Sequence, residues 1–255
     1  MEVIYSPETP ADLKNTKGLH LLTDNTPNGK KVQILLEELH SVYSTVWHTH
    51  LIDLETDEQK KNWFCRLNPN GRIPVVVDST QHEVYSVVES SAILVYLQER
   101  YDQNKVFGFE DPFEKSQALQ WLFFWHSAAV VQGNARHFKS GDVPQAAERF
   151  QTEMLRIYSV LENHLGGRRG AERDYLAGRG RGKYSIADMG TWPHVSAYRS
   201  LCVPGMVEEQ DMRARFPCLF AWIARVAGRE AVQRGIDAEK YDCDVNRGLV
   251  IRAEV

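Results

Sequence analysis

The periodicity of this chain changes character once, near Asp102. Between Gly18 and Tyr101, short strand-like runs alternate with stretches of helical period. GLHLLT (Gly18–Thr23) leads into a helical pattern from about Asn28 to His40, with Val32, Leu35, Leu36 and Leu39 on one face. STVWHTHLID (Ser44–Asp53) is rich in β-branched and aromatic residues and reads as a strand. The polar segment ETDEQKKNWFCRL (Glu55–Leu67) predicts a short helix, and IPVVVD (Ile73–Asp78), a turn at STQH and EVYSV (Glu83–Val87) predict a hairpin. ESSAILVYLQERY (Glu89–Tyr101) closes the region as a helix. The order β-α-β-α-β-β-α implies a parallel pair with a right-handed crossover, followed by an antiparallel pair.

Beyond Asp102 no strand pattern of comparable quality recurs. Residues 103–112 read as a linker, and helical stretches follow at Phe113–Phe138, Pro144–Leu165, Ile186–Leu201 and Pro217–Arg234. Ser185 is a natural N-cap for the third of these, with Asp188 at N3 and Tyr184 and Met189 at the staple positions. The expected organisation is a loose polar leader (1–17), a small α/β domain (18–102), the linker, an all-α domain (113–235) and a tail without period (236–255).

Composition narrows the function. Apolar residues make up 43%, enough for a sizeable core, and the formal charge is −4. With a pI near 6.2, nothing asks for nucleic acid or an anionic membrane. The Arg- and Gly-rich stretch 168–183, with Arg179 and Arg181, reads as a solvated loop rather than a nucleic-acid contact. No apolar run reaches the ~18 residues of a membrane span, and MEVIYSPETP lacks the features of a signal peptide. The expectation is a soluble, cytoplasmic protein. Cys65, Cys202, Cys218 and Cys243 stand alone, so no dithiol or zinc-ribbon motif is present. His48 and His50 share one face of a strand, but two ligands do not make a metal site, and none is expected.

Three corners carry candidate chemistry. At TPNG, Thr26 precedes a proline and is pushed toward extended geometry, which makes Asn28 the expected N-cap, with Gly29 and Lys30 opening the helix. The corner reads either as a well-capped turn or as an anion site built on unpaired helix amides, able to take a sulfur anion. In NPNGRIP (Asn68–Pro74), a proline at the mouth of a strand either starts an edge strand or, with a cis bond, turns the backbone of Ile73 toward an extended peptide ligand. In VESSAIL (Val88–Leu94), Ser90 either caps a helix or donates to a carboxylate at the helix start, while Glu89 holds an ammonium. A thiol, a peptide backbone and an amino-acid end group occur together in glutathione.

The ladder TPNG, NPNGRIP and ESSAIL, with YSIAD further on, resembles the glutathione S-transferases over about residues 18–235. TPNGKKVQILLEEL and LQWLFFW are most similar to the fungal nitrogen-regulator-like transferases and their bacterial disulfide-reducing relatives. The resemblance implies an α/β thioredoxin-like N-terminal domain followed by an all-α C-terminal domain, the cytosolic glutathione transferase architecture. It implies glutathione as co-substrate, an electrophilic or disulfide small molecule as second substrate, and a homodimer. By the same resemblance, Thr26 and Asn28 contact the sulfur, Ile73 pairs with the cysteinyl backbone, and Glu89 and Ser90 hold the γ-glutamyl end. Gln59 and Arg72 fall to the glycyl carboxylate, and Arg149 matches an arginine near the glutathione site. Trp121, Phe124, Trp125, His126 and His137 are candidates for the second-substrate pocket or for core packing. A glutathione-adding enzyme of fungal secondary metabolism, or a non-catalytic glutathione-binding regulator, would share these residues.

Overall fold

The computed structural model describes residues 4–81, 83–140, 142–168, 170–201, 209–242 and 251–252. His82 of the expected turn, Cys202, Cys243 and most of the tail beyond Asp242 lie outside the described residues. Two units emerge, Met1–Asp102 together with Glu230–Val255, and Gln103–Arg229.

In the first unit the elements run α1 (Ala11–Asn15), β1 (Leu19–Thr23), α2 (Pro27–Tyr43), β2 (His48–Leu51), α3 (Asn62–Leu67), β3 (Val75–Asp78), β4 (Tyr85–Val87) and α4 (Ser90–Tyr101). β1 and β2 are parallel, with His20 beside His48, and β3 pairs antiparallel with both β1 and β4. This is the expected thioredoxin-like arrangement. Alternation places Leu22, Val75 and Val77 on one sheet face, where they pack with Trp63, Phe64 and Leu67 of α3. Leu13 of α1 is buried in the same cluster, with Ile4 and Tyr5 against it. Residues 4–17 are therefore not the loose leader expected. Leu13 on a single-turn helix, with Ile4 and Tyr5, seats them.

The chain returns to this unit at its end. α10 (Glu230–Gly235) and α11 (Ala238–Tyr241) follow, and β5 (Ile251–Arg252) pairs antiparallel with β2. Gly235 lies so close to α2 that a Cβ there would sit 2.8 Å from the Ile34 backbone. The Glu37 carboxylate, itself buried, accepts from Arg234 Nε at 2.9 Å, Lys240 Nζ at 2.6 Å and the Tyr241 hydroxyl at 2.8 Å. The expected boundary at 235 therefore moves: from Glu230 on, the chain groups with the α/β unit. Ala231, Val232 and Tyr241 are buried in this segment, and the polar contacts to the buried Glu37 carboxylate add to that apolar packing.

The second unit is all-helical: α5 (Pro112–His137), α6 (Pro144–Leu165), α7 (Ile186–Val195), α8 (Glu209–Arg215) and α9 (Pro217–Ala227). Trp125, Tyr158, Leu161, Leu219 and Trp222 form its interior. α7 stops well short of the expected Leu201, since Pro193 removes a backbone donor and the chain leaves the helix at Ser196. The expected helix to Arg234 is broken after Ala227 by Gly228, a poor helix former, and α10 restarts at Glu230. The Ser185 cap forms as expected, and Asp188 completes a reciprocal capping box. Asp188 is fully buried and also accepts from Leu176 N at 3.0 Å and Trp222 Nε1 at 2.9 Å. Burial raises its pKa to about 6.

His20 and His50 face each other across β1 and β2, Nδ1 to Nε2 at 3.0 Å, and His20 Nε2 meets the Thr16 carbonyl at 2.9 Å. Burial, reinforced by the neighbouring His20 and His48, pushes the His50 pKa down to about 4.

Two predictions follow from these anchors. Asp188→Ala strands buried donors on Ser185, Leu176 and Trp222 and is expected to cost the helical unit roughly 3 kcal/mol or more in urea unfolding, with Asp188→Asn losing less. His50 stays neutral in the folded chain while the unfolded chain takes up a proton below about pH 6.5. Its contribution is thus present above that pH and lost as pH falls toward 4. Between pH 7 and 5 it should withdraw about 2 kcal/mol. Unfolding curves at both pH values should show that loss shrinking in His50→Gln.

Candidate functional site

The first corner is built by close approach. Gly29 lies against the end of β1, and a Cβ there would meet the Asp24 carbonyl oxygen at 2.2 Å and Thr23 Oγ1 at 2.6 Å. Only glycine fits, and it lets α2 start directly off the strand. The N-cap is Thr26, not Asn28 as expected from sequence: its Oγ1 accepts from Gly29 N at 3.1 Å, and Pro27 takes the first helical position. The extended geometry forced on Thr26 by Pro27 is itself the geometry of an N-cap, which is why the cap falls earlier.

That shift frees Asn28. At the second helical position it is exposed, and its backbone amide and Nδ2 take no partner among the described residues. Its Oδ1 accepts from Ser90 Oγ at 3.3 Å. The Thr26 oxygen is used as an acceptor by Gly29, so its hydrogen remains for an outside group. Thr23, the other hydroxyl of the corner, is buried and tied to Gln33 Nε2 at 3.0 Å and the Asp24 carbonyl at 3.2 Å. It is a structural residue here.

The second corner holds the Ile73–Pro74 bond in the cis form. The backbone of Ile73 takes no hydrogen-bond partner among the described residues, and β3 begins only at Val75. The loop before it is held by Asn68, whose Nδ2 donates to the Arg72 carbonyl at 2.7 Å. Arg72 is exposed. Gln59, on the short 3-10 turn Glu58–Lys60, is carried by a neighbouring loop: a Cβ on Gly71 would lie 3.0 Å from the Gln59 carbonyl oxygen. Gln59 Nε2 donates to Asp57 at 3.2 Å, while its Oε1 is buried without a partner among the described residues.

At the third corner Glu89 adopts φ 67°, ψ 114°, a backbone region that residues with a Cβ rarely occupy. Glu89 is exposed at the mouth of α4, while Ser90, buried, starts the helix. Beneath Ser90 lies a group that sequence reasoning missed. Lys31 is 1% exposed, and its Nζ donates to Ser90 Oγ at 3.3 Å. Burial lowers its pKa to about 8, opposed by the charge of Glu89. The available signal was its place one helical turn after Asn28 on the same face.

Thr26, Asn28, Glu89 and Ser90 are thus brought together, with Ile73, Gln59 and Arg72 on the loops of the same unit. The remaining candidates sit in the helical unit. Arg149 is exposed on α6, in a groove it shares with Val131, Gln145, Phe150 and Glu153. Trp125 packs inside the helical unit. It is fully buried, with its ring centroid 6.4 Å from Tyr158 and 6.1 Å from His194. The α5 periodicity aims it at the helical core. His126 is half-buried, and His137 is exposed, edge-on to Phe138. Trp121 packs on His164 with centroids 4.2 Å apart and meets the edge of Phe124. No group of three or more His, Cys, Asp or Glu side chains suited to a metal occurs among the described residues. No described helix is long and apolar enough to cross a membrane.

Comparison with known proteins agrees with this geometry. Residues 26–100 match the family model for the glutathione S-transferase N-terminal domain, and residues 144–225 the model for the C-terminal domain. The chain is 34% identical to glutathione S-transferase 2 of Schizosaccharomyces pombe, over 81% of this chain and 89% of that protein. It is 30% identical to the disulfide-bond oxidoreductase YghU of Escherichia coli, over 91% of this chain and 78% of the relative. The structure of Ure2p in complex with glutathione superposes with a TM-score of 0.76 at 28% identity, covering 88% of this chain and 97% of that one. With both domain models matched in order and a thioredoxin-like unit carrying the expected corners, this chain belongs to the glutathione S-transferase family, among relatives of the Ure2 and disulfide-reducing kind.

Proposed function

We propose that this chain is a glutathione-dependent transferase or disulfide reductase that activates the sulfur of glutathione at the start of α2. The observation that carries this reading is the set of outward donors there: the Thr26 hydroxyl, the Asn28 amide N–H and the Asn28 Nδ2 group. All three are donors, and the Asn28 carbonyl is turned away onto Ser90. Such a cluster suits an anion. Ile73 supplies a backbone edge for the cysteinyl residue, Glu89 a carboxylate for the γ-glutamyl ammonium, and Ser90 a hydroxyl at a helix start for its carboxylate. Gln59 and Arg72 serve the glycyl end. Arg149 is kept as a candidate near the site, on the family resemblance alone.

The magnitudes are sufficient. A free thiol has a pKa of about 8.5, and lowering it by two units takes about 2.7 kcal/mol. A helix N-terminus supplies about 0.3–2 kcal/mol, and each hydrogen bond to a charged group about 1.5–3. No protein base is required. The thiolate then attacks an electrophilic carbon, expelling its leaving group, or a disulfide sulfur, forming a mixed disulfide and releasing the other sulfur as a thiolate.

A homodimer is part of the same reading. Phe123 and Val130 lie two helical turns apart on α5 and are 59% and 66% exposed. A second copy of this chain would cover them. A cytoplasmic setting fits the two described cysteines, Cys65 and Cys218, both free thiols.

Asn28→Ala should raise the pKa of bound glutathione's sulfur by about 1–2 units and lower kcat/KM roughly 10- to 100-fold near neutral pH, with circular dichroism unchanged. Ultraviolet titration of the bound thiolate checks this, and an unshifted titration defeats the assignment. Phe123→Glu with Val130→Glu should convert dimer to monomer in sedimentation. A wild-type monomer would end the dimer reading.

A further inference from the structure

The buried lysine has no part in the reading above, yet it lies directly under the α-amino-acid end of the site. A fully buried ammonium is costly unless it is paired and hydrogen-bonded. Lys31 Nζ donates to Ser90 Oγ at 3.3 Å, and Ser90 Oγ donates in turn to Asn28 Oδ1 at 3.3 Å. An ammonium can only donate, so the Ser90 oxygen is an acceptor on its inner side and gives its single hydrogen to Asn28 Oδ1. A hydroxyl that accepts from a cation is also the stronger donor. Ser90 is therefore held as a donor, and a bound anion would take over the hydrogen that it gives to Asn28.

The second half of the arrangement is Glu89, the adjacent residue, with its carboxylate exposed at the same helix mouth. One negative and one positive group thus stand at neighbouring positions, the negative at the surface and the positive beneath the hydroxyl. That is the complement of a zwitterion whose ammonium and carboxylate sit on one carbon.

We propose that Lys31 is a positioning residue that, through Ser90, makes this corner selective for a zwitterionic α-amino-acid end by holding the hydroxyl as a donor and placing a positive charge against the ligand's α-carboxylate. The inference rests on the glutathione reading of the site and adds to it the residue that decides which end group is accepted. Glu89 is the ionisable group whose charge acts on Lys31. Despite burial the lysine pKa remains near 8, so the ammonium persists at neutral pH.

A ligand–variant cycle tests it on the full-length protein by calorimetry. The probes are glutathione, its α-carboxamide, and the analogue 4-aminobutanoyl-cysteinylglycine, which lacks the α-carboxylate. Lys31→Met keeps the volume and removes the charge. It should weaken glutathione about tenfold or more while changing the affinity of the carboxylate-free analogue by less than about twofold. Equal losses for both ligands, or no loss for glutathione, overturn the proposal. Should Lys31→Met fail to fold, the wild-type protein still decides. It must bind glutathione at least about tenfold more tightly than the α-carboxamide, and equal affinities overturn the role assigned to Lys31. If wild-type protein binds no glutathione, the glutathione reading falls and this inference with it. If it binds glutathione without these discriminations, only the inference falls.

Discussion

The hydrogen bond from the Gly29 amide to the Thr26 hydroxyl sets the frame for the whole site. It places the first turn of α2 one short step after β1, at a distance that only a glycine allows. With the cap supplied by Thr26, Asn28 is left on the outer face of the helix with its donors unspent. One turn later Lys31 is carried inward, under the start of α4. Had Asn28 been the cap, its side chain would be folded back onto the helix amides, and neither the outward donors nor the lysine would stand where they do. A local capping choice thus decides the electrostatics of a site assembled from three distant segments.

Buried carboxylates do for the rest of the fold what this cap does for the site. Asp188 collects donors from Ser185, Leu176 and Trp222, and so ties the start of α7 to α9 and to the middle of the Arg- and Gly-rich loop. Glu37 collects Arg234, Lys240 and Tyr241, and so holds the C-terminal helices against α2. A buried ion pair adds little net stability but is costly to break, so such anchors select one packing among several apolar alternatives. Both units have an ample apolar core. What that core leaves open, the polar anchors close.

The strained backbone at Glu89 belongs to the same economy of structure. A left-handed φ at a residue with a Cβ is disfavoured, and it persists where its surroundings over-determine it. Here the β4–α4 corner and the helix that follows hold it, and the exposed Glu89 stands beside a buried hydroxyl and a buried ammonium.

Much of this was legible in the amino-acid order because it is local. Alternation with period two and helical period identified β1 to α4, and the Ser185–Asp188 cap was readable from four residues. Thr26, Asn28, Ile73, Glu89 and Ser90 were readable as corner residues, since proline, glycine and capping side chains mark corners. Only the tertiary structure decided which of Thr26 and Asn28 caps the helix, because both can, and the close approach to β1 chooses. It alone turned Trp125 into core and seated Leu13, since burial depends on what packs opposite. It alone brought Lys31 beneath Ser90 and Arg234 onto Glu37, because contacts between residues 59 and 197 apart leave no periodic trace in a single sequence.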